Sequence, residues 1–147
     1  MDPLRVAELE RRLGYRFRAP SLLEEALTHA SFANEHPPSA DHARLAFLGD
    51  AALGLVVADH VIAADPAAAV GELTARRAEL VTGRHLARWA VELELGALLR
   101  LGRGEDQSGG RTRDSILAAA FEAVLGAIYR EGGLDEVRRV LGRLAAW

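Results

Sequence analysis

The chain has 147 residues, 50% hydrophobic and 27% charged, a balance that fits one globular domain with a real core and excludes a disordered chain. Its net charge of −3 provides no global attraction to nucleic acid, so any such binding needs a local basic patch. Cysteine is absent, which excludes disulfides and thiolate metal sites, and all 18 basic residues are arginine.

The N-terminus, Met1-Asp-Pro-Leu-Arg, lacks the apolar stretch of a signal peptide. No uncharged apolar run approaches ~20 residues, so no membrane span and a soluble cytoplasmic protein are expected. Val6, Leu9 and Leu13 space a first helix that stops at Gly14. Ser21-Leu-Leu-Glu24 has the pattern of a capping box, opening a helix that continues into Thr28–Glu35. His36-Pro-Pro-Ser-Ala40 is a loop, because proline withholds a helical hydrogen bond. Asp41 is placed to cap a long helix that ends at Asp65-Pro66. Leucines at 73, 80, 86 and 93 mark two further helices broken at Gly83 and capped at Gly96. A Gly-rich polar stretch, Arg100–Asp114, reads as an interhelical loop. A second strongly apolar helix, Ile116 to about Arg130, is capped by Asp114 or Ser115 and ends at Gly132-Gly133, before an amphipathic helix from Leu134 to Ala145. Every element reads as helix, with no strand pattern, repeat or inter-domain linker. The expected class is all-α, one domain over residues 1–147.

The helix over residues 41–65 is apolar on nearly every face, which predicts burial on every face. Asp50 stands inside it, and Glu122 stands likewise inside the second apolar helix. A buried carboxylate needs a partner. Either each is satisfied by Arg44, Arg77 or His29, or both helices aim their carboxylates at one metal or phosphate site. The histidines at 29, 36, 42, 60 and 85 form no i, i+4 pair of the kind a helical zinc site uses. Gly104–Gly109 has the glycine spacing of a phosphate loop, but Gly110 and Arg111 follow where Lys and Ser/Thr belong, so no nucleotide cofactor is expected. Arg100, Arg103, Arg111 and Arg113 concentrate positive charge suited to a nucleic-acid backbone; Arg103, Arg111 and Arg113 are the candidate contacts.

Several stretches together resemble the bacterial ribonuclease III endonuclease domain. Leu27-Thr-His-Ala-Ser-Phe-Ala-Asn-Glu35 resembles its early motif, and Arg44-Leu-Ala-Phe-Leu-Gly-Asp50 its signature E-R-L-E-F-L-G-D. Gly71-Glu-Leu-Thr74, Leu101-Gly-Arg-Gly-Glu105, Ser108-Gly-Gly-Arg111 and Ser115–Tyr129 follow in the family's order. The resemblance implies an all-α homodimer in which Phe47 enters a hydrophobic socket of the partner. It also implies, in active members, cleavage of double-stranded RNA with Mg²⁺. A double-stranded-RNA-binding domain usually follows, and none is expected within these residues.

The departures lie at the metal site. The resemblance implies metal carboxylates at positions 46, 50, 119 and 122, with a further acidic position at 43. Here Asp50 and Glu122 keep theirs, whereas Ala43, Ala46 and Ala119 replace acidic residues. Residues 43, 46 and 50 share one helix face at i, i+3, i+7, and residues 119 and 122 share another. Each helix has therefore lost a carboxylate to a methyl group. The expected function is a double-stranded-RNA-interacting dimer, catalytically impaired, with Mg²⁺ bound weakly or not at all. The alternatives are a weak endonuclease using one Mg²⁺, and a dimerisation module without RNA.

Overall fold

A computed structural model describes all 147 residues. The fold is all-α, as expected, and is built around two crossed helices. Helix α4 (Ala43–Ala64) and helix α9 (Asp114–Gly132) pack on each other through most of their length. Around them lie α1 (Pro3–Leu13), α2 (Pro20–Ala26), α3 (Ala30–Glu35), α5 (Val70–Leu80), α6 (Gly83–Glu92), α7 (Leu95–Leu98), α8 (Arg103–Gln107) and α10 (Leu134–Ala145). α9 is the hub. Eleven of its residues are buried, and α6, α10 and α2 all pack on it. Phe121 on α9 meets Trp89 on α6 at 5.5 Å between ring centres.

The helix ends obey local chemistry in some places and not in others. Gly14 ends α1 in the left-handed conformation (φ 66°), and Thr82 caps α6 by accepting from the His85 N–H at 3.2 Å. The capping box at Ser21 does not form. α2 starts two residues earlier, at Pro20 with Ala19 as its cap, and the proline ring presets the helical φ. Asp41 sits one residue before the cap position, which His42 occupies, yet its carboxylate accepts from the Ala43 N–H at 2.9 Å. Neither Asp114 nor Ser115 is the cap of α9; Arg113 is, and Asp114 occupies the first turn, where a negative charge suits the helix dipole.

Three expectations are corrected by tertiary contacts. The helix expected to run through residues 28–35 is interrupted at Leu27–His29. There the chain pairs with Arg100: His29 N–H donates to the Arg100 carbonyl at 3.0 Å, and Arg100 N–H to the Leu27 carbonyl at 2.8 Å. Gly96 does not cap a helix. α6 ends at Glu92, and Gly96 lies inside α7, where a Cβ would stand 2.5 Å from the Arg111 carbonyl oxygen. The stretch 100–114 is not a plain loop; it holds α8 and a 3₁₀ turn, Gly110–Thr112.

The largest correction concerns α4. Leu45, Gly49, Ala52, Leu53, Val56, Val57 and Val61 are buried, but the opposite face is bare. Phe47 is 83% exposed, and Leu55 and Ile62 are each more than half exposed on the same side. α4 is also long and apolar enough to cross a membrane by length and composition, with a mean hydropathy of 1.7, although the raw sequence has no charge-free run of that length. Burial on all sides is therefore not achieved within one chain.

Candidate carboxyl site at the helix crossing

The α4–α9 crossing is set by two glycines. A Cβ built on Gly49 would lie 1.7 Å from the Glu122 carbonyl oxygen, and one on Gly126 would lie 2.1 Å from that of Leu45. No real side chain fits either gap, so backbone touches backbone. Asp50 follows Gly49 on α4, and Glu122 precedes Gly126 by one turn on α9. The close approach brings their carboxyl groups into hydrogen-bonding contact. The two carboxyls therefore meet each other rather than the arginines or the histidine named as partners. The groups acting on Glu122 are burial and Asp50, with no arginine or histidine among them.

The premise that Asp50 is buried is corrected: it is exposed, while Glu122 is half-buried. Glu122 is nevertheless pushed up to about 7 from an ordinary 4.5, first by burial, then by its hydrogen bond to Asp50 and the repulsion between the two charges. When protonated, Glu122 can donate to Asp50. Ala46 and Ala119 are half-exposed and Ala43 is exposed, so none of these methyl groups is locked into the core. No group of three or more His, Cys, Asp or Glu side chains gathers anywhere in a geometry able to hold a metal ion.

A raised folded-state carboxyl implies a definite pH response. Between about 4.5 and about 7 the folded chain holds a proton at Glu122 that the unfolded chain has lost. This stabilisation is complete below 4.5 and is lost as pH rises through 7. Glu122→Gln keeps a donor to Asp50 and does not titrate. Its stability relative to the parent should rise as pH goes from 4.5 to 7, then level off. Urea unfolding of both proteins at pH 5 and pH 8 checks this; an equal difference at the two pH values would refute the raised carboxyl.

The three candidate arginines differ in what they touch. Arg103 is exposed, and its guanidinium joins no ion pair. Arg111 is committed inward: it binds Asp106 at 2.8 Å and the Leu99 and Gly96 carbonyls at 2.6 and 3.0 Å. Arg113 pairs with Glu105 and donates to the Ser108 carbonyl at 3.0 Å. Arg100 pairs with Glu24 and lies over the Phe32 ring at 4.3 Å. Of the four arginines that concentrate positive charge in the sequence, three are engaged in ion pairs and Arg103 is not.

Beside Phe47 opens a cavity of about 640 Å³. Its floor is Leu22, Leu45 and Leu48, and its walls carry Glu25, Arg44 and Arg130. The sequence reading missed Leu22 and Arg130, which only the fold brings to α4. It also missed the role of the Gly49–Gly126 pair, whose signal was a glycine beside each carboxylate in an otherwise bulky apolar run.

This fold and this pair of helices define a class. The ribonuclease-III-like family model matches residues 19–145, and the chain belongs to that family. It is 50% identical over 143 residues to ribonuclease 3 of Symbiobacterium thermophilum, covering 97% of this chain and 60% of that protein. Ribonuclease 3 of Alkalilimnicola ehrlichii is 51% identical over 136 residues, covering 92% of this chain and 58% of that protein. The chain thus spans about three-fifths of the length of these curated relatives. Among solved structures, the nuclease domain of ribonuclease III from Campylobacter jejuni superposes with a TM-score of 0.89 at 38% identity, covering 95% of this chain and 94% of that one. Dicer from Pichia stipitis superposes with a TM-score of 0.65 at 29% identity, covering 88% of this chain and 55% of that one.

Proposed function

We propose that the chain is a ribonuclease III-like homodimer that engages double-stranded RNA and is impaired as a nuclease. The observation that carries this reading is the donor set at the α4–α9 crossing, where two carboxyls converge with no third metal donor. Phosphodiester cleavage by metal needs ions held firmly by several charged oxygens, so that water and phosphate are fixed in a preorganised field. Two carboxyls, one of them half-protonated near neutral pH, do not fit a two-ion centre. Ala46 and Ala119 stand on the faces that lack the missing ligands.

Affinity for duplex RNA should come from phosphate and 2′-hydroxyl contacts, with little sequence preference. Arg103 is the leading contact because its charge is uncommitted; Arg111 and Arg113 would add to the field around it. The test is a gel shift on a long RNA duplex across a salt series, run beside a cleavage assay in Mg²⁺ and in Mn²⁺. The expected result is a shift that weakens steeply with salt and no efficient cleavage. Arg103→Ala should lower affinity uniformly and reduce the salt slope by about one. Efficient cleavage would overturn the impairment, and absence of any shift would leave the dimerisation module.

The homodimer is supported by the bare face of α4 and by the neighbouring cavity. A stripe from Phe47 through Leu55 to Ile62 exposes large apolar side chains, which marks an interaction surface. The cavity has an apolar floor, a charged wall and room for an aromatic ring. The Campylobacter jejuni nuclease domain is described with a region involved in dimer formation. Seating Phe47 of each copy in the other's cavity would cover both. Phe47→Ala should leave the single-chain fold intact and weaken the dimer by about 3–5 kcal/mol if the ring is fully buried there. Sedimentation at micromolar concentration reads this as a shift towards monomer; a parent that is already monomeric would end the idea.

One observation favours a second reading. Because Asp50 and Glu122 touch, they could hold a single Mg²⁺ with waters, as such ions accept one or two carboxylates. Asp50 and Glu122 would then be the metal ligands of a weak endonuclease. Calorimetric titration with Mn²⁺ of the parent against Glu122→Gln distinguishes this from the first reading.

A further inference from the structure

Away from the carboxyl pair, two histidines meet where α2, α3, α4 and the strand-like segment at Arg100 converge. The rings of His29 and His42 stand edge to face, 5.6 Å apart. His42 is 7% exposed, and its Nδ1 is a buried nitrogen with no hydrogen-bond partner. Its backbone N–H donates to the Thr28 carbonyl at 2.8 Å, so it ties α4 to the residue before His29.

His29 is the cap of α3. Its Nδ1 accepts from the Ser31 N–H at 3.1 Å and lies 2.8 Å from the Ser31 hydroxyl. That hydroxyl oxygen accepts in turn from the Gly102 N–H at 2.9 Å. Its one proton is therefore free for His29 Nδ1, which must present a lone pair. One residue on, the Glu35 carboxylate of α3 accepts from the Arg103 N–H at 3.0 Å, which caps α8. Contact is close: a Cβ on Gly102 would lie 2.7 Å from the Ser31 carbonyl oxygen. Two short helices are thus joined through Ser31, whose own N–H is held by a neutral His29.

We propose that His29, backed by His42, is a proton-operated latch that ties α3 to α8 through Ser31 when neutral and releases α8 when Nδ1 is protonated. A proton on Nδ1 sets N–H against the Ser31 N–H, so α3 loses its cap and Ser31, whose hydroxyl oxygen holds the Gly102 N–H, loses its fixed position. α3 has six residues, too few to persist without its cap. The charged groups facing the pair are Asp41, which faces both rings, and Arg113, which faces His29; the Ala26 carbonyl accepts from His42. Burial holds both rings below the ordinary imidazole range, against the opposing pull of Asp41. A depressed folded-state imidazole contributes stability above the unfolded pKa of about 6.5 and loses it as pH falls through the folded value. Release therefore belongs below pH 6.5. The segment released carries the free Arg103.

Amide hydrogen exchange on the full chain, corrected for the intrinsic pH dependence, tests the latch between pH 8 and pH 5. Protection at Gly102 and Arg103 should fall about ten-fold per pH unit once His29 titrates, while α9 amides stay protected. His29→Asn supplies an acceptor that does not titrate and should flatten the response. Ser31→Ala should leave Gly102 unprotected at every pH, because the hydroxyl that holds its N–H is gone. Protection at Gly102 that is flat with pH in the parent, or a slope that persists in His29→Asn, would overturn the proposal. If His29→Asn fails to fold, Gly102 protection that survives in Ser31→Ala, or still varies there with pH, would overturn it equally.

Discussion

Gly49→Ala will destabilise the fold by about 3 kcal/mol or more, although alanine is the better helix former by about 1 kcal/mol. The new Cβ would meet the Glu122 carbonyl oxygen at 1.7 Å, and that oxygen is backbone, fixed by its own helix. α4 and α9 must separate to admit it, and the core on both sides of the crossing loosens. Gly126→Ala should act alike, since its Cβ meets the Leu45 carbonyl oxygen at 2.1 Å. Gly54→Ala is the internal control. It lies on the same helix with nothing within 4 Å of the added Cβ, so there the helix propensity should win and stability should rise by about 0.5–1 kcal/mol. Thermal melts would read the first two as losses of roughly 6–12 °C, at about 2–4 °C per kcal/mol for a chain of this size. Opposite signs for Gly49→Ala and Gly54→Ala are the result that distinguishes close approach from mere helix preference. As the helices part, Glu122 should also lose contact with Asp50, and its carboxyl should fall towards the ordinary range.

Placing acids at positions 46 and 119 is the second large effect. Ala46→Glu with Ala119→Asp adds one carboxylate to each helix on the face that carries Asp50 or Glu122. The existing pair already holds Glu122 at about 7, so further negative charge at the crossing should lower stability in the absence of metal. Mg²⁺ should reverse that loss by mass action, by about 2.7 kcal/mol at a hundred times its Kd. Cleavage of an RNA duplex should appear with the double variant, more than about a hundred-fold above the parent, and increase when Ala43→Glu is added. A variant whose Tm ignores Mg²⁺ would show that the two faces do not converge on an ion site. A parent that cleaves as well as the variant would show that Asp50 and Glu122 suffice.

Most of the helices were legible because their causes are local. Val6, Leu9 and Leu13, then Gly14, delimit α1 through spacing and a left-handed turn that the chain carries within itself. Gly83 opens α6 where the break between two helices was expected, and Gly132-Gly133 mark the end of α9. The pairing of Leu27–His29 with Arg100 was not legible. Its hydrogen bonds join residues more than seventy positions apart, and the intervening sequence contains no strand pattern to announce them. The inward turn of Arg111 was hidden likewise, because its acceptors are carbonyls of α7 and the residue after it, which no side-chain pattern encodes.

The sequence by itself determined the fold class, because helix periodicity is a property of neighbours along the chain, and its ordered motifs carried the resemblance to the family and singled out Asp50 and Glu122. It also placed Asp50 on an apolar helix, but assigned that helix burial on every side. Only the tertiary structure decided which face of α4 is covered, since burial depends on where α9 lies and a single chain has no second layer to cover Phe47, Leu55 and Ile62. Only the tertiary structure decided that Asp50 and Glu122 touch. That contact depends on two glycines more than seventy residues apart letting two backbones meet, and no one-dimensional pattern measures the distance between them.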